Sequence, residues 1–240
     1  VSRWSGPLAR AYGACESLAR SHYENFPVAS RLLPAPMRPH IAAVYAFARI
    51  ADDMADEGDA SASARQAWLK RWGAHLHERV DAGDRQPAGD TQHALVIAAT
   101  AHTIRSLDLP IALFDDLLSA FSQDTATTRY ASWRDLFDYC RRSANPVGRL
   151  VLRIAGYREP SLDRASDALC TALQLTNFWQ DLGRDWRAGR LYVPREALDA
   201  CGAREGAFTS RAWGMALDAC VAVTRAQFEL GRPVCDGVRG

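Results

Sequence analysis

Of 240 residues, 48% are hydrophobic and 24% charged, the balance of an ordinary globular chain. A net charge of +1 gives no basis for nucleic-acid binding, and no apolar run approaches the ~20 residues of a membrane span. The six cysteines are scattered without CxxC or CxxH spacing and no signal peptide is visible, which predicts free thiols in a reducing, cytoplasmic setting.

Ala and Leu are abundant, apolar residues recur at three- and four-residue spacing, and alternating β-branched runs are missing. The pattern predicts helices over 7–25, 38–57, 61–82, 90–107, 110–122, 132–154, 161–185, 194–201 and 208–230. Pro34, Pro36 and Pro39 mark a turn before the second helix, and Asp81 to Asp90 reads as a loop. Nothing resembles a domain linker, so an all-α chain forming a single domain over 1–240 is the expectation.

The second predicted helix carries Tyr45, Arg49, Asp52 and Asp56 within a sector of about 60°. Apolar residues from Ile41 to Ile50 surround that stripe, which predicts a buried helix with a narrow polar face. Asp52 and Asp56, one turn apart, are candidate ligands for a hard divalent cation. Asp53 points about 100° away and is a weaker ligand, a residue supporting the ligands from behind, or a packing residue. A solvated acidic helix end is the bland alternative, although acidic residues there oppose the helix macrodipole unless a cation is near.

The seventh predicted helix repeats the theme. Gln174, Asn177, Asp181 and Asp185 fall within about 80° and all present oxygen acceptors. Arg184, Arg187 and Arg190 follow, suited to phosphate. A surface helix with routine ion pairs is the alternative for this segment alone. Two matched carboxylate faces, opposed across a helical core, would suit Mg²⁺, which takes oxygen ligands and is commonly completed by substrate phosphates.

At these residues the chain resembles the squalene/phytoene synthase family. Val44 to Glu57 is similar to that family's first aspartate-rich motif, Gln174 to Asp185 to its second, and Arg190-Leu191-Tyr192-Val193-Pro194 to the segment that follows. His22 to Ser30 and Cys140 to Arg149 resemble the hydroxysqualene-forming branch. The resemblance implies an isoprenoid-synthase helical bundle around a central cavity, here without the family's last helix. It implies Mg²⁺ ions, two or three, held by Asp52, Asp53, Asp56, Asn177, Asp181 and Asp185. Arg49, Arg184 and Arg190 would contact diphosphate, with Phe26 and Phe178 lining the substrate cavity. Tyr45, Tyr139, Asn145 and Gln174 would stand at the reacting centre; core packing or structural hydrogen bonding is the alternative for each. Gln180 stands where many relatives carry Arg, in keeping with one diphosphate rather than two.

The implied reaction takes presqualene diphosphate and water to hydroxysqualene and diphosphate, without NADPH. A presqualene diphosphate synthase and a flavin-dependent squalene-forming enzyme would be functional partners, and peripheral membrane contact would follow from greasy substrates. Condensation of two prenyl diphosphates is the enzymatic alternative, and a non-catalytic lipid-binding scaffold the non-enzymatic one. Chain elongation fits less well, because Gln180-Asp181 stands where a doubled aspartate is needed.

Overall fold

A computed structural model describes residues 4–21, 33–56, 58–83 and 89–238. The predicted His22 to Ser30 stretch, with His22 and Phe26, lies outside the described residues. Among those described, the secondary structure is helical except for turns and one isolated parallel bridge between Arg129 and Leu191. The chain divides into two compact units, Val1–Thr125 with Leu150–Tyr157, and Ala126–Arg149 with Arg158–Gly240.

In the first unit, α1 (Gly6–Ser21), α2 (Arg38–Asp56), α3 (Ala62–Ala82), α4 (Gln92–Leu107) and α5 (Ala112–Asp124) pack with α2 against the other four. The apolar surround predicted for α2 is the reason: Ile41 to Val44, Ala46, Phe47, Ile50, Ala51 and Ala55 are all buried. Phe47 stacks on Trp72 at 5.4 Å between centroids and meets Phe114 edge-on at 5.4 Å. The Tyr12 hydroxyl, also buried, hydrogen-bonds with Thr103 Oγ1 at 2.9 Å and joins α1 to α4.

Arg65 on α3 closes the C-terminus of α2. Its guanidinium donates to the carbonyls of Met54 (3.0 Å), Ala55 (2.8 Å), Gly58 (2.5 Å) and Ala60 (3.0 Å), and the residue is 9% exposed. Helix C-termini leave carbonyls unsatisfied and carry partial negative charge. Part of the cation that the acidic end of α2 calls for is therefore this arginine.

The second unit contains α6 (Trp133–Ser143), α8 (Pro160–Gln180), α9 (Leu182–Arg187), α10 (Arg195–Ala200), α11 (Arg211–Gly231) and α12 (Pro233–Gly237); α7 (Asn145–Ile154) begins in it. α8 runs along α11, and they touch where a Cβ on Gly231 would meet the Leu169 backbone nitrogen at 2.7 Å. Trp213, Leu191, Val193, Leu198, Ala216 and Cys220 form a buried cluster beside this pair. Burial pushes the thiols of Cys15, Cys140 and Cys220 up to about 12, as expected of inert core cysteines.

Two predicted helices are broken in the structure. The span 132–154 divides at Ala144, because Pro146 has no amide to donate back into α6 and instead sits in the first turn of α7, where none is needed. The span 161–185 divides at Asp181, whose φ of −90° and ψ of 3° leave the helical region two residues before Gly183. The short α12 was not anticipated from sequence; it starts at Pro233, a residue suited to a first helical turn.

Candidate active site

The first motif occupies an incompletely buried stripe of α2. Tyr45, Arg49, Asp52 and Asp53 are half-buried there, and Asp56 at the helix end is exposed. Arg49 Nη2 lies 2.6 Å from Asp53 Oδ1, while Nη1 is 3.9 Å from Asp52 Oδ2. Of these two carboxylates, the guanidinium lies nearer the one that points away from the Asp52–Asp56 face.

The second motif straddles the α8–α9 junction rather than lying on one helix. The register survives the break: the amide of Asp181 donates to the Asn177 carbonyl at 2.8 Å, and that of Asp185 to the Asp181 carbonyl at 2.9 Å. Four-residue steps therefore persist through Asn177, Asp181 and Asp185. All three are half-buried, as is Gln174 one turn earlier. Arg184 reaches back to Asp181 Oδ2 at 2.9 Å from a side chain that is 74% exposed. The backbone amide of Arg190 donates to the Asp185 carbonyl at 2.8 Å, closing the turn after α9.

Aromatic rings gather beside this second motif. Phe178 stacks on Tyr192 at 3.8 Å and 6°, and Tyr139 lies 6.0 Å from Phe178 and 6.2 Å from Tyr192. Tyr130 completes the group, 5.6 Å from Tyr139 and 5.7 Å from Tyr192. The sequence singled out Tyr139 and Phe178 but not Tyr130 or Tyr192. Tyr192 stood inside the matched Arg190 to Pro194 segment. Tyr130 had no local signal, because backbone bonds from Leu191 to Thr128 and from Arg195 to Tyr130 bring it in. Asn145 is buried, and its Oδ1 accepts from Thr171 Oγ1 at 3.0 Å, so it ties α7 to α8.

The donor set fits magnesium. Every candidate ligand offers oxygen, and among the described residues no three His, Cys, Asp or Glu side chains cluster as a self-sufficient metal site. Carboxylates supplied in pairs suit an ion that keeps waters and takes phosphate oxygens.

A profile of squalene/phytoene synthases matches residues 19–239. The chain belongs to the squalene/phytoene synthase family. It is 44% identical over 185 residues to the hydroxysqualene synthase of Zymomonas mobilis subsp. mobilis, covering 76% of this chain and 59% of that one. It is 33% identical over 197 residues to the phytoene synthase of Mycobacterium tuberculosis, covering 82% and 62%. Among solved structures, the squalene synthase HpnC of Alicyclobacillus acidocaldarius superposes with a TM-score of 0.86 at 38% identity, over 97% of this chain and 86% of that one. The helical architecture is that of this family. The chain spans about three-fifths of the length of the curated relatives it matches.

Proposed function

We propose that this squalene/phytoene synthase family member converts presqualene diphosphate and water to hydroxysqualene and diphosphate, with Mg²⁺. The observation carrying this reading is a contrast among relatives: three bearing the name hydroxysqualene synthase are 39–44% identical to the chain, and phytoene synthases are 30–34% identical.

Asp52, Asp56, Asn177, Asp181 and Asp185 would hold the ions. Bound magnesium supplies the Lewis acid that neutralises charge on the departing diphosphate. Arg49, Arg184 and Arg190 would be donors to diphosphate oxygens. The π faces of Tyr130, Tyr139, Phe178 and Tyr192 would stabilise the carbocation and, being apolar, keep bulk water from quenching it early. Gln174, half-buried and polar, would orient the water that captures it, with Asn145 fixing the helix that carries Gln174. A synthase making presqualene diphosphate from two prenyl diphosphates would supply the substrate, and a flavin-dependent enzyme would consume the product. Substrate and product both favour contact with a membrane surface; no described helix is long and apolar enough to cross one.

The second reading is condensation of two prenyl diphosphates, favoured by the structural neighbour named a squalene synthase and by the phytoene synthase relatives. The test offers presqualene diphosphate and farnesyl diphosphate separately, with Mg²⁺ and without NADPH, and identifies products by mass spectrometry. The expected outcome is hydroxysqualene from presqualene diphosphate, reduced at least about 100-fold by Asp52→Ala or Asp181→Ala. Coupled products from farnesyl diphosphate would move the assignment to condensation, and no turnover of either would favour a non-catalytic lipid binder.

A further inference from the structure

We infer that Asp53 is a positioning residue: it anchors Arg49 for a diphosphate oxygen and is not itself a magnesium ligand. This inference rests on the magnesium–diphosphate reading above and divides the labour inside the first motif. Asp52 and Asp56 are four residues apart on α2 and share a face, whereas Asp53 lies about 100° round the helix. Its Oδ1 is shut off from solvent, has no hydrogen-bond partner, and lies 2.6 Å from Arg49 Nη2 as an ion pair.

A guanidinium and a hydrated dication compete for the same lone pairs. Mg²⁺ demands ligand distances near ~2.1 Å in octahedral geometry and arrives with waters. Asp53 Oδ1 is out of reach of solvent and already has a cation against it. Arg49 and Asp53 are only 26% and 31% exposed, so their attraction is screened less than that of a surface pair.

Arginine is a long side chain that loses rotamer freedom when it binds a phosphate. Holding Arg49 in advance removes part of that ordering cost from the binding step. The second motif is built differently. There Arg184 is 74% exposed and pairs with Asp181, itself a proposed ligand, so it shares that carboxylate with the metal. The Arg49–Asp53 pair can persist throughout.

The experiment measures pyrophosphate affinity by calorimetry in the presence of Mn²⁺, and counts Mn²⁺ ions bound at saturating pyrophosphate by electron paramagnetic resonance. Asp53→Asn is expected to keep the wild-type ion count and melting temperature and to weaken pyrophosphate about 3- to 10-fold. In the Arg49→Gln background Asp53→Asn should cause no further loss; with Arg49 intact, Asp53→Glu should keep most of the wild-type affinity. Asp52→Asn should instead lower the ion count. Loss of an ion in Asp53→Asn, unchanged pyrophosphate affinity, or an additive loss in the double variant would each overturn the anchor role. If the wild type binds pyrophosphate without needing metal, the magnesium reading itself falls, which these variants would not have caused.

Discussion

Arg65 shows how much the first motif depends on one side chain outside it. Four carbonyls at and after the end of α2 converge on its guanidinium, so the loop leaving the aspartates is fixed from below. Removing it would strand those carbonyls in a largely buried place and leave the negative end of the helix uncompensated. Arg65→Ala should therefore destabilise the protein by about 2–4 kcal/mol, measured by urea unfolding, which is large for a residue with no proposed contact to substrate. The aspartates were legible as a spacing in the sequence, and Arg65 was not. Its partners are backbone oxygens, which carry no residue identity for a pattern to find.

At the scale of elements, helical periodicity located most helices, because burying one face imposes a repeat that can be read directly. Their interruptions were harder to read. Pro146 sits in the sequence as a visible helix breaker, yet the apolar pattern continues through it and conceals the division between α6 and α7. Asp181 leaves helical geometry while keeping its four-residue hydrogen bond, so the ligand spacing expected of one helix survives on two. The α8–α11 pairing depends on contact between backbones. Gly231→Ala would drive a methyl group to within 2.7–2.9 Å of Leu169 main-chain atoms and Cβ, and should cost about 1–3 kcal/mol by separating the helices. A large-to-small change at the neighbouring exposed Leu230 is the control expected to have little effect.

For the whole molecule, a ligand that binds the folded state and not the unfolded one should raise global stability. At a pyrophosphate concentration of 100 times Kd with Mg²⁺, binding adds about 2.7 kcal/mol to the folded state. A melting temperature raised by about 5–10 °C in a thermal scan is the expected result, with pyrophosphate alone giving a much smaller shift. The sequence by itself determined the helical class, the carboxylate pairs one turn apart and, through its motifs, the family. Each of these is written in spacings of a few residues, the range over which helix geometry acts. Only the tertiary structure decided that Arg49 leans on Asp53 and that Arg65 caps α2. It also decided that Tyr130 and Tyr192 join Tyr139 and Phe178 in one aromatic group. Rotamer choice made the first of these, and contacts distant in sequence the others, and neither leaves a periodic trace along the chain.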